Sequence, residues 1–154
     1  MQPNPQAAAN YLKMRVMTAT PEQLQMMLYD GAIRFCEQAR IALVANDYEK
    51  SYTMISRVQK IISEMSSTLK HDVFPELCGK LAALYNFAYR KLIEANVDHK
   101  IESLDEALGV LRFQRETWAM LLDQLGKNKA ANAAVKINIP GPDSRMEAKI
   151  SMSA

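Results

Sequence analysis

Thr20-Pro21-Glu22-Gln23-Leu24-Gln25-Met26-Met27-Leu28-Tyr29-Asp30-Gly31-Ala32 carries both a helix start and an amphipathic helix. Thr20 has the side chain to cap the first orphan N–H groups of a helix. Pro21 suits the first helical position, where an N–H would be unpaired anyway, and Gln23 completes a capping box. At about 100° per residue, Leu24, Met27, Leu28, Gly31, Phe35, Ala39 and Ala42 fall on one face, so the pattern predicts a helix to about Ala45. Asn46 then suits a left-handed residue that ends it, and Asp47 can cap the next helix.

Working outward, the second predicted helix buries Tyr48, Tyr52, Ile55, Val58, Ile62, Met65 and Leu69, and Lys70-His71-Asp72-Val73 reads as a turn. Pro75 opens a third helix with Leu77, Leu81, Leu84, Ala88, Leu92 and Ala95 on one side. Cys78, Ala82, Tyr85, Tyr89 and Ile93 widen its apolar arc, which calls for neighbours on more than one side. Asn96 supplies its stop. A fourth helix starts between Asp98 and Ser103, with Ser103 and Glu106 as a capping box. Its core face is Leu104, Ala107, Leu108, Leu111, Trp118, Leu122 and Leu125, and Gly126 is expected to end it. Long helices on short turns become antiparallel neighbours, so the fold class is all-α, an antiparallel up-down four-helix bundle.

The two ends lie outside this frame. Residues 1–10 are expected to be disordered, with Tyr11 to Met17 forming a short helix or an arm. Residues 126–154, broken by Pro140-Gly141-Pro142, are expected to be a flexible tail with a short extended segment at 135–139. The domain reading is therefore an arm over 1–19, a bundle over 20–125 and a tail over 126–154.

Composition agrees with this reading. The 154 residues are 49% hydrophobic and 23% charged, enough for one self-sufficient core and rich in strong helix formers. Residues 1–125 carry fourteen basic against fifteen acidic side chains, and the net +2 arises in 126–154. Such a balance offers no basic face for duplex nucleic acid. No stretch reaches the ~18 apolar residues of a membrane span, and the first ten residues lack the charged and apolar regions of a secretory signal. The expected location is the cytosol, where Cys36 and Cys78 read as buried reduced thiols.

Bundles often house metals, which makes the donor set worth testing. A di-metal site needs Glu-x-x-His on two helices, and neither His71 nor His99 has a Glu three residues before it. Cys-x-x-Cys-His for a c-type haem is absent, and a b-type haem, left open by spacing, would need histidines that here fall at turns. No nucleophile elbow or phosphate loop is present. The expectation is a protein with no catalytic, cofactor or metal site. Arg115 alone falls on an apolar face, which suits a clamp on a partner carboxylate, an internal salt bridge or a side chain that snorkels to the bundle edge.

The stronger signal is apolar residues on faces a lone bundle would leave polar. Met26, Tyr29 and Ile33 lie opposite the Leu24–Phe35 stripe, Phe113 and Met120 are seven residues apart opposite Leu104, and Phe87 lies off its own helix's main stripe. Aligned rather than scattered, such residues suit an amphipathic helix of a partner, and flexible Met side chains adapt to it. The arm or a second copy of the chain would cover the same stripe.

At these residues the chain resembles a known family. Thr18-Ala19-Thr20-Pro21-Glu22-Gln23-Leu24 with Met27-Leu28-Tyr29-Asp30-Gly31-Ala32 is similar to the signature of the flagellar chaperone family FliS. Leu81-Ala82-Ala83-Leu84-Tyr85 with Tyr89-Arg90-Lys91-Leu92-Ile93-Glu94-Ala95-Asn96 resembles its third helix. Leu108-Gly109-Val110-Leu111 and Arg115-Glu116-Thr117-Trp118 resemble its fourth. The resemblance covers about residues 11–125. It implies a non-enzymatic bundle that binds the disordered C-terminal segment of flagellin in the cytosol, prevents early polymerisation and presents the client to the export machinery. It implies no nucleotide, metal or membrane insertion. The outward apolar residues Met26, Tyr29 and Ile33 with Phe113 and Met120 are the expected flagellin surface, and Tyr11, which matches the family's arm tyrosine, is expected to gate it. The departures are Thr20, where Ser is the more usual cap, and a longer tail. A helical adaptor for another secretion client, or a homodimer, is the rival reading.

Overall fold

The computed structural model describes residues 4–137. It is helical throughout, with α1 at Pro5–Thr18, α2 at Pro21–Val44, α3 at Tyr48–Ser67, α4 at Pro75–Asp98 and α5 at Ile101–Ile137. The chain divides into two compact units, Met1–Trp118 and Ala119–Ala154.

The caps act largely as the sequence predicts. Thr20 Oγ1 accepts from Gln23 N, and Gln23 Oε1 accepts from Thr20 N, each at 3.1 Å. Asn46 takes the left-handed conformation at φ 57°, and Asp47 Oδ1 accepts from Lys50 N at 3.2 Å. Three boundaries differ. Residues 5–10 are helical because Asn4 Oδ1 accepts from Gln6 N ahead of Pro5 and a run of three alanines. The left-handed stop of α4 is His99, not Asn96. Helix α5 continues past Gly126, since one glycine costs only ~1 kcal/mol and the alanines after it favour helix. The expected extended segment thus begins inside a helix, and residues 138–139 lie outside the described residues. Ser103 is also not a cap. It sits inside α5, and its hydroxyl donates to the Glu94 carboxylate at 2.9 Å.

Side-chain pairs reveal the order of the helices. Helix α2 packs on α3, where a Cβ on Gly31 would lie 3.6 Å from Ile61 Cδ1, and α3 packs on α4. On its other side α2 meets α5 through Asp30–Arg115, Glu37–Arg112 and Arg40–Asp105. These pairs run in opposite directions along the two helices, which makes them antiparallel. Lys91–Glu106 and Glu94–Ser103 join α4 to α5 in the same sense. The cyclic order α2-α3-α4-α5 is an up-down four-helix bundle, and α2 and α4 stand on its diagonal.

The core inside that square is Ala32, Cys36, Ala39 and Leu43 from α2, with Ile55, Val58, Ile62 and Met65 from α3. Facing them are Ala88, Leu92 and Ala95 from α4, with Leu104, Ala107, Leu108 and Leu111 from α5. Small side chains dominate on α2, letting the helices approach closely. Tyr48 and Tyr52, expected inside, are exposed, as is Leu77. Helix α1 buries none of its residues, so Tyr11, Leu12, Met14 and Met17 all face solvent.

The real core stripe of α2 sits about a quarter turn from the predicted one. Charged residues Asp30, Arg34, Glu37 and Arg40 mark its outer side, and the buried stripe lies opposite them. The apolar arc of α2 is wide because it serves both α3 and α5. Reading only its α3-facing half shifted the inferred centre.

Candidate partner-binding face

That quarter turn decides where the expected partner residues lie. Tyr29 does not face outward: it is buried, and its hydroxyl shares a 2.8 Å hydrogen bond with the buried Tyr85 hydroxyl across the bundle diagonal. Burial, and then the bond to Tyr29, hold the Tyr85 phenol neutral well above its ordinary pKa, while a hydrogen bond from Gln25 acts the other way. Met26 and Ile33 share the side of α2 that carries Asp30 and Glu37, and both are half-buried. Ile33 packs on the core. Phe113 is 67% exposed and Met120 is also exposed, each within its own compact unit. Tyr11 is exposed on α1. Phe87, also singled out by its position, is half-buried with the Lys91 ammonium 5.6 Å from its ring.

The α2–α5 seam beneath these residues is built from polar contacts. Arg115 Nε donates to Asp30 Oδ1 at 2.6 Å and Arg112 Nη2 to Glu37 Oε1 at 2.9 Å. Arg40 holds both oxygens of Asp105, at 2.7 and 3.3 Å. The hydrogen bond to Asp105 makes Arg40 harder to deprotonate, and Asp30 does the same for Arg115. Trp118 Nε1 donates to the Glu22 carbonyl at 3.0 Å, fastening the first turn of α2. The two motifs read separately in sequence, MLYDGA and RETW, therefore meet in space through Asp30–Arg115. Of the alternatives for Arg115, the structure selects the internal salt bridge.

Further along the same seam lies an open recess of about 450 Å³, lined by Glu37, Arg40, Ile41, Asp105, Leu108, Gly109 and Arg112. Gly109 adds no side chain to it, and a Cβ at that position would meet nothing within 4 Å. Leu108 is buried at its base, and Ile41 at its rim is 70% exposed. Phe113 stands one turn beyond Gly109 on the same side of α5. The charges around the recess balance, two arginines against two carboxylates already paired with them. This surface can bury apolar side chains and align backbone polar groups; among the described residues no group of three or more His, Cys, Asp or Glu is placed to hold a metal.

None of the recess residues was anticipated as partner-binding. The sequence signal for Ile41 was its place seven residues after Arg34, on the charged outer side of α2. For the recess itself, it was a glycine at an outward position in the middle of a long helix.

Comparison with known proteins agrees with this architecture. Residues 4–125 match the family model described as flagellar protein FliS. The chain is 30% identical over 132 residues to the flagellar secretion chaperone FliS of Bacillus subtilis, covering 86% of this chain and 96% of that one. It is 30% identical over 107 residues to the Salmonella typhimurium protein of the same name, covering 69% and 79%. A crystal structure of a bacterial flagellar chaperone superposes with a TM-score of 0.64 at 19% identity, covering 79% of this chain and 99% of the other.

Proposed function

The chain belongs to the FliS family, whose named relatives are flagellar secretion chaperones, and we propose that its client is the C-terminal segment of flagellin. The segment docks along the α2–α5 face, over Ile41, the Gly109 recess and Phe113. Held there, it is kept from polymerising and is handed to the export apparatus.

The observation that carries this reading is the pairing of large exposed apolar side chains with a ready-made recess on one seam. Burying Ile41 and Phe113 under a partner contributes about 1.5–3 kcal/mol each. That is comparable with the ~2–5 kcal/mol needed to order a disordered segment as it folds on binding. Met26 and Ile33 support the α2 side of the face from beneath. Helix α1, with Tyr11 uncovered, is free to close over a bound client or to leave it. No step of this work calls for bond chemistry, and no helix among the described residues is long and apolar enough to cross a membrane.

The test is calorimetric titration of the full chain with a synthetic flagellin C-terminal peptide, with circular dichroism of the mixture. Equimolar binding with a gain in helix is expected, weakened at least tenfold by Ile41→Glu with Phe113→Glu. Both positions are exposed, so the fold should survive the change. Unchanged binding by that variant would remove the face assignment, and absence of binding by the wild type would remove the client.

A further inference from the structure

On the other side of α2 the electrostatics are inverted. Phe35, half-buried on the α3 side of α2, carries two guanidiniums: Arg34 Cζ and Arg57 Cζ each lie 5.5 Å from its ring centroid. The two cations are therefore no more than 11 Å apart. Both side chains are exposed, and among the described residues neither has a carboxylate within 4.0 Å or a protein hydrogen-bond acceptor. Lys60 stands one turn beyond Arg57 on α3 and Lys50 two turns before it, both exposed and equally without a carboxylate partner. Glu64, one turn past Lys60, makes no ion pair among the described residues either. The reason for this surplus lies one turn to either side of Arg34, where Asp30 and Glu37 have both turned to α5.

From this arrangement we propose that the α2–α3 face, centred on Arg34, Phe35 and Arg57, is a second docking site, for an acidic segment of a protein partner. The ring fixes two planar guanidiniums about one point. Each retains a fork of N–H donors that match a carboxylate in bidentate fashion. Cation–π contact with a half-buried ring lowers the entropy lost when such a fork engages a ligand. Carboxylates on adjacent turns of a helix lie about 6 Å apart, within the span of the two arginines. Partner recognition here is by charge and geometry, unlike the apolar α2–α5 face.

A nucleic acid fits less well. The aromatic ring that would stack a base is already in contact with two guanidiniums. In addition, residues 1–125 carry one more acidic than basic side chain, so no extended field tracks a phosphate backbone. The patch is local, on the scale of the ~8 Å Debye length at physiological salt.

The experiment uses the full chain and a fluorescein-labelled helical peptide with Glu pairs spaced four residues apart. Its controls are the Gln-for-Glu peptide and a single-stranded oligothymidylate. The acidic peptide is expected to bind, the neutral one to bind at least about tenfold more weakly, and affinity to fall as salt rises from about 50 to about 300 mM. Arg34→Gln with Arg57→Gln should lower affinity about tenfold or more, while Arg34→Lys with Arg57→Lys, which keeps the charge but loses the fork, should fall between. Circular dichroism verifies that each variant is folded. No binding of the acidic peptide, equal binding by the glutamine variant, or tighter binding of the oligonucleotide would each overturn the proposal.

Discussion

The two sides of α2 solve different problems with the same residue types. Toward α5, every carboxylate between Asp30 and Glu37 is matched by an arginine, the tryptophan of RETW ties down the helix start, and the charge is balanced. Toward α3, packing is close, with Gly31 against Ile61, and the arginines are left over. A side whose charges are satisfied internally is free to meet a partner through Ile41, Phe113 and the Gly109 recess. A side with unspent cations is the one proposed to meet a partner through charge. The comparison teaches that the role of an exposed arginine is set by where the nearest carboxylates have turned.

Both sides nevertheless lean on one core, which predicts the largest effects. Leu111→Ala on α5 and Ile62→Ala on α3 remove fully buried side chains and should each cost about 2–5 kcal/mol in denaturant unfolding. A much smaller loss for either would mean that the two seams are not packed on a common core.

Alkaline pH acts on the same core from within α2. Burial pushes the Cys36 thiol from its ordinary 9.0 up to about 12. The folded chain therefore holds this proton more tightly than the unfolded chain. Stability is unaffected below pH 9, then falls by roughly 1.4 kcal/mol per pH unit between 9 and 12 as the unfolded thiol ionises. The raised Tyr85 phenol adds a fall of the same sign above its ordinary pKa near 10. Cys36→Ala should flatten the part of the profile between 9 and 10, as read from urea midpoints across pH.

A smaller effect is expected at Gln114, which is buried on α5 with neither amide atom bonded to another protein group among the described residues. Replacing it by Leu removes an unsatisfied amide and should raise stability by about 1–3 kcal/mol. A loss instead would show that the amide is satisfied from outside the protein, by water. The smallest effect belongs to the seam ion pairs. Arg115→Ala should lower the melting temperature slightly at low salt and hardly at all at high salt, since Asp30 and Arg115 are both well exposed. A large, salt-insensitive loss would give the α2–α5 seam a structural weight that its exposure does not suggest.

Much of this fold was legible in the sequence because helix ends carry chemical marks. Thr20 with Gln23, and Asn46 with Asp47, gave their boundaries by hydrogen-bonding capacity alone. Gly126 and Asn96 misled because a permissive residue stops a helix only where the following residues disfavour it. Helix phase was harder. On α2, apolar residues face two neighbours as well as the core, so the Leu24–Phe35 stripe pointed toward α3 and cast Tyr29 as exposed. The charged series Asp30, Arg34, Glu37, Arg40 was the cleaner guide, because a charge is costlier to bury than an apolar group is to expose. For the recess the sequence offered only an outward glycine at position 109, because the depth of the α2–α5 seam is defined by packing.

The proposed seat of the client is the α5 side of α2. Hydrogen–deuterium exchange on the full chain, with and without a flagellin C-terminal peptide, tests it most directly. Protection rising in the segments around Ile41 and residues 105–113, with the segment around Arg57 unchanged, is the result expected. Protection concentrated around Arg57 and Lys60 instead would contradict the account and place the client on the cationic face.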